Sequence, residues 1–185
     1  EQTVTTKVRA VHMCEVAELT DPFDIVLLGV KAYDTRWACE LIKPLVAEDG
    51  LVVGLQNGMT MEDVASIMAP ERTLGAVIEV AAGMYEPGVV IRQTGPEGTW
   101  FGIGAYDEAT LGREAEVAEI LRHAGAVEIR DDIRSAKWMK LVVNAAEFLP
   151  SSILNLPLAE AIKIPGMREL MMASGREAVR TGLAL

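Results

Sequence analysis

Residues 24–58 read DIVLLGVKAYDTRWACELIKPLVAEDGLVVGLQNG. Residues 24–30 form a short, almost uninterrupted run of Val, Ile and Leu, the composition of a strand buried on both faces of a parallel sheet. Residues 51–55 repeat it. Between the two, Trp37, Leu41, Ile42 and Leu45 recur at three- and four-residue spacing, and Asp34 or Thr35 is available as an N-cap. That spacing predicts an amphipathic crossover helix and therefore a βαβ unit. Its polar residues stand where such units bind ligands, outside the carboxyl ends of the strands. Lys31 follows the first strand, and Gln56-Asn57-Gly58 follows the second.

Working outward, the residues before this unit alternate loosely over 3–13 and predict one or two short strands, followed by an Asp21-Pro22 turn. After it come a predicted helix at 61–68 and a buried strand at 73–82. Glu86-Pro87-Gly88 has hairpin turn chemistry leading into 89–93, and residues 95–98 turn again into 99–103, giving an antiparallel portion. A helix is expected over 111–124, closed by Gly125 as a C′ glycine, then a strand at 127–129. From Asp132 onward only helical patterns remain, over 132–149 and 165–185. The fold class is α/β: a Rossmann-like parallel sheet with an antiparallel hairpin portion, then part of an all-helical second domain. The expected boundary divides residues 1–131 from 132–185.

The 185 residues are 50% apolar with mean hydropathy +0.24, enough for a substantial core. A net charge of −10, with no clustered Lys and Arg, excludes a nucleic-acid-binding face. Cys14 and Cys39 lack metal-ligand spacing and are expected to be buried thiols, so no metal site is expected. No apolar run reaches the roughly 20 residues that span a bilayer, and no signal peptide is present, which leads to a cytoplasmic expectation. Gly102-Ile103-Gly104 imitates part of a dinucleotide fingerprint, but Asp107 stands where the third glycine belongs and would repel a pyrophosphate; Asp107 suits a turn or N-cap.

Taken together, DIVLLGVKAYDT, LQNGM, the EPG turn with its later GP and FGIG, the AG before a strand, and WMKLVVN at 138–144 resemble the ketopantoate reductase (2-dehydropantoate 2-reductase) family. The resemblance runs through nearly the whole chain. It places the chain as the central part of such an enzyme, between an amino-terminal strand and glycine-rich loop and carboxy-terminal helices that complete the substrate site. It implies NADPH-dependent reduction of a small 2-oxo acid, most often 2-dehydropantoate on the route to pantothenate, in a cleft between two domains. A homodimer through the helical domain is also implied. Two other readings stand beside it: reduction of a different 2-oxo acid, and a non-catalytic remnant or binding module of the same fold.

The residues themselves agree with those roles. Hydride delivery to a 2-oxo acid builds negative charge on the carbonyl oxygen, which calls for a proton donor or cation. The resemblance gives that role to Lys140. Asn144 is one helical turn on and on the same face, able to hydrogen-bond the substrate. Asn57 offers an amide to the nicotinamide side or to a substrate carboxylate. Lys31 is matched to the cofactor at the mouth of the site, and Glu177 to an acidic position of the substrate site. Trp138 is expected in packing. The family pattern continues with a second asparagine eight residues after the lysine, where this chain has Phe148, followed by Leu149, Pro150 and Ser151. An apolar side chain there removes an amide that would read the substrate's hydroxyl and carboxyl groups.

Overall fold

The computed structural model describes residues 3–185. Strand β1 (Phe23–Leu28), helix α1 (Thr35–Ile42) and strand β2 (Val46–Gly54) form the expected βαβ unit, with β1 and β2 parallel. Helix α2 (Met61–Met68) leads to β3 (Thr73–Glu79), which lies parallel to β2. The hairpin β4 (Ala82–Glu86) and β5 (Val89–Arg92) turns at Pro87-Gly88, where Gly88 has φ +78°, and stands apart as a two-stranded sheet. Strand β6 (Trp100–Ala105) returns antiparallel to β3 rather than to β5. Helix α3 (Glu114–Leu121) and β7 (Ala126–Ile129) follow, and the main sheet has the order β1-β2-β3-β6-β7. The chain then becomes helical: α4 (Ile133–Leu154), the short α5 (Leu158–Ala161) and α6 (Met167–Ala184). The result is an α/β fold with a mostly parallel sheet, a separate antiparallel hairpin and a helical tail.

Period-two alternation sorts the sheet's side chains to two faces. Leu51, Val53, Leu74, Ala76, Phe101 and Ile103 pack against Val117, Ala118 and Leu121 of α3. On the other face Leu28 and Val52 meet Ala38 and Cys39 of α1 and Val64, Ile67 and Met68 of α2. Each Val, Leu, Ile, Phe or Met side chain among them, fully buried, contributes about 1.5–3 kcal/mol of transfer free energy. Helix α4 lies on this second face, where Ile133 packs with Met61 and Val77. It approaches closely because glycines face it. A Cβ at Gly75 would lie 2.9 Å from the Ile133 side chain, and one at Gly104 would lie 2.6 Å from it and 2.5 Å from the Arg130 carbonyl oxygen. Gly102 and Gly104, two residues apart, therefore share the α4 side of the strand. The GIG sequence sits inside β6 and admits a helix; Asp107 caps the following turn by accepting from the Ala109 amide at 3.0 Å. Gly104→Ala is expected to destabilise the protein by about 1–3 kcal/mol, because the obstruction is partly backbone and cannot swing away. Urea unfolding of the two proteins at neutral pH measures it, and equal midpoints would show that α4 has room to move.

Several expectations are corrected. Residues 3–12 form no strand; Val4 and Val8 are 79% and 77% exposed, so the alternation has no apolar surface to cover, and residues 13–18 form a short 3-10 helix. Cys14 is exposed there, whereas Cys39 is buried and its pKa is raised to about 11 by burial, Glu40 and Asp63, as for an inert thiol. The buried face of α1 is Thr35, Ala38 and Cys39, not Trp37, which is 46% exposed and donates its indole N–H to Asp34 at 2.8 Å. Gly125 does not adopt a positive φ; its missing side chain makes room for the Thr99 carbonyl instead. Helix α4 does not stop before Pro150 but runs past it to Leu154, ending at Asn155 in the left-handed region. No helix among the described residues is long and apolar enough to cross a membrane, and none of their His, Cys, Asp and Glu cluster as a metal site.

Candidate active site

Since β1, β2 and β3 are parallel, their carboxyl ends share one edge of the sheet, and Lys31, Asn57 and Glu79 follow or end these three strands. Helix α4 crosses β3 and brings its own side chains to that edge. Ile133, Lys137, Lys140 and Asn144 are spaced by four, three and four residues and so lie along one stripe of the helix. Ile133 is buried against the sheet, which turns the rest of the stripe toward the strand ends.

Lys140 stands between two cavities. The larger, about 650 Å³, is a groove along α4 lined by Val77, Glu79, Trp100, Met139, Lys140 and Val143 and, at its far end, by Arg130 to Asp132. The smaller, about 10 Å³, is lined by Gln56, Asn57, Gly58, Ala76, Lys137 and Lys140 among others. Asn57 and Lys140 therefore line the same small cavity. Gly58 has φ +91°, a conformation costly for other residues, and this turn exposes Asn57 at the end of β2. The Lys140 ammonium lies 3.5 Å from Glu79 Oε1, with side-chain exposures of 20% and 56%. A pair this open to water is weak and easily exchanged for another anion. Glu79 is hidden in the sequence because the strand pattern runs on to residue 82; its sign is a carboxylate ending an otherwise apolar strand.

Lys137 is the other residue that sequence reasoning missed. It is 2% exposed, its ammonium donates to the carbonyl oxygens of Gln56 and Ala76, both at 2.9 Å, and burial lowers its pKa to about 8. A lysine among the apolar positions of α4, one turn before Lys140, was the available signal. The remaining candidates are spread out. Lys31 is exposed at the start of the 3-10 turn that precedes α1. Asn144 is half-buried one turn beyond Lys140 and lines neither cavity. Glu177 is on an exposed face of α6, also outside both cavities, and Phe148 is 50% exposed on α4. Trp138 packs as expected: its indole N–H donates to the Ala178 carbonyl at 3.1 Å, and Gly182 of α6 lies against the ring.

Chemically, the edge offers a cation with a displaceable counter-charge, a neutral amide beside it, and a second cation at the neighbouring strand end. Lys31 and Asn57 are the polar side chains at these strand ends that would hold part of a dinucleotide lying across them. The phosphates would need a glycine-rich loop, which the 185 residues do not contain.

Residues 1–106 match the model of the family described as ketopantoate reductase PanE/ApbA. The chain is 32% identical over 155 residues to a 2-dehydropantoate 2-reductase of Archaeoglobus fulgidus, covering 83% of this chain and 51% of that relative. Among solved structures it is similar to a 2-dehydropantoate 2-reductase of Geobacter metallireducens, with TM-score 0.79 and 30% identity over 86% of this chain and 53% of that one. A D-mandelate dehydrogenase solved with NADH and anilino(oxo)acetate shares the fold, with TM-score 0.76 and 22% identity over 84% and 50%. The chain spans about half the length of the relatives it matches. The strand-end geometry and the family match over more than half of its residues agree: the chain belongs to the ketopantoate reductase PanE/ApbA family.

Proposed function

We propose that the complete protein is an oxidoreductase that reduces a small 2-oxo acid with a nicotinamide nucleotide, NADPH before NADH, and that 2-dehydropantoate is the first substrate to test. The observation that carries this reading is that Lys140 and Asn57 line one small cavity at the carboxyl edge of the parallel strands, beside a groove large enough for a small acid. The relatives named above are reductases of that kind. The bound nucleotide supplies hydride. Lys140, released from Glu79 by the substrate's negative charge, holds the carbonyl oxygen and gives it a proton. Asn57 orients the nicotinamide side, Lys31 steadies the nucleotide at the mouth, and Asn144 and Glu177 serve the substrate from the helical part of the protein. Residues 132–185 are read as the start of the helical domain that completes the substrate site and carries a homodimer contact. Phe148 is the one specific observation favouring a plainer 2-oxo acid, since an apolar side chain cannot pair a substrate hydroxyl.

The test is steady-state kinetics of the complete protein with NADPH and a panel of 2-oxo acids; no turnover of any of them would reject the reading. The 185-residue chain alone is expected to bind NADPH weakly or not at all, because it has no phosphate loop. Calorimetry giving a micromolar Kd for this chain would show that the strand-end residues suffice.

A further inference from the structure

Behind the site runs a continuous chain of buried polar groups. The Lys137 ammonium, on α4, donates to the backbone carbonyls of Gln56 and Ala76. The Gln56 side chain turns inward: its amide nitrogen donates to the Thr35 hydroxyl at 2.9 Å, and its amide oxygen accepts from the Thr60 hydroxyl at 3.1 Å. Thr35 in turn donates to the Ala32 carbonyl at 2.7 Å. All four side chains are at most 7% exposed. The Thr35 hydroxyl has its proton committed to the Ala32 carbonyl and can only accept from Gln56, so the Gln56 amide fits in only one orientation; flipping it would set the amide oxygen against the Thr35 oxygen with no proton between them. Gly54 keeps the space open, since a Cβ there would lie 3.3 Å from the Gln56 amide oxygen.

What this chain joins is informative. Ala32 adjoins Lys31, Gln56 adjoins Asn57, and Lys137 is one helical turn before Lys140. Three segments far apart in sequence, each carrying a candidate site residue on its outer side, are tied from the inside by directional bonds. Apolar packing would bury the same surface without fixing the segments' relative placement, and an amine that costs desolvation is tolerated most readily where it fixes a register.

We propose that Thr35, Gln56 and Lys137 are positioning residues, a buried relay that sets Lys31, Asn57 and Lys140 at their mutual spacing. Its consequence for turnover rests on the reductase reading; its consequence for Asn57 does not.

The test uses the complete protein and three variants: Thr35→Val, which keeps volume and removes the hydroxyl; Thr35→Ser, which keeps the hydroxyl; and Lys137→Met, which keeps length and removes the donors. In ligand-free protein the side-chain amide signal of Asn57 in nitrogen-15 spectra is expected to shift or broaden in Thr35→Val and to stay near the wild-type position in Thr35→Ser. In steady-state kinetics Thr35→Val and Lys137→Met are each expected to lose about tenfold in kcat, roughly one buried hydrogen bond, with little change in KM for the nucleotide. The double variant should lose no more than the worse single one, because one connected relay is broken in both. An unmoved Asn57 signal in folded Thr35→Val overturns the proposal even if Lys137→Met does not fold. Losses that multiply in the double variant, or a lower melting temperature with unchanged kcat, also overturn it. If the wild type turns over no 2-oxo acid, the reductase reading has failed and the Asn57 signal alone decides on the relay.

Discussion

Lys140→Ala in the complete protein is expected to lower kcat by about 10² to 10⁴, the range found when a positioned acid or an oxyanion donor is removed. The loss belongs in kcat because charge on the carbonyl oxygen develops only as hydride arrives, so the missing interaction is one made in the transition state. Nucleotide affinity should change little, since the proposed function gives the carbonyl oxygen to Lys140, against the groove on α4, and the nucleotide to Lys31 and Asn57. Lys140→Arg keeps the charge but loses acidity and reach, and partial recovery is expected. Lys31→Ala should show the opposite division, raising KM for the nucleotide more than it lowers kcat. Circular dichroism checks that each variant is folded. A folded Lys140→Ala with near wild-type kcat would move the chemistry away from α4 and favour a binding role for the protein.

How much of this was legible in the sequence follows from which physical signals act locally. The apolar runs of β1 and β2 and the short α2 are dictated by their own composition, and the structure places them where the sequence does. The contacts of α4 with the sheet are a different matter. That Gly75 and Gly104 both make room for Ile133 of one helix depends on β3 and β6 being neighbours, which no local pattern states. The same is true of the one or two short strands expected over residues 3–13, whose alternation is real but finds no partner in the sheet. Asn57 and Lys140 could be named from motifs because their chemistry is displayed at chain positions that a family pattern marks. Glu79 and Lys137 could not, because their meaning lies in a contact: a carboxylate 3.5 Å from Lys140 and a lysine turned inward instead of outward. The helix predicted over 132–149 falls short of the observed end because α4 continues through Pro150, against the penalty proline carries in a helix interior, while packed along α6.

The inward turn of Lys137 has a measurable signature in stability. Its ordinary pKa of 10.5 is lowered to about 8, chiefly by desolvation, with Glu62 of α2 acting in the opposite sense. The other charges nearby are Arg134 of α4, which pairs with Glu62 at 2.8 Å, and Lys140, which shares the small cavity. A cation whose folded pKa lies below its unfolded one binds fewer protons in the folded state between the two values, so stability rises with pH across that window. Below pH 8 the lysine is charged in both states and the full desolvation cost is felt. Between pH 8 and 10.5 that cost is progressively relieved, because the folded lysine is neutral and still has two N–H donors for its two carbonyl partners. A shift of this size corresponds to about 3 kcal/mol over the whole window. Other lysines and tyrosines titrate there too, so the quantity to measure is the difference in unfolding free energy between wild type and Lys137→Met, by urea at pH 7, 8, 9 and 10. Wild type should gain on the variant as pH rises, with most of the change above pH 8. A flat difference from pH 7 to 10 would mean that Lys137 keeps its ordinary pKa, and with it enough water around the ammonium to undo the buried arrangement described for α4 and the ends of β2 and β3.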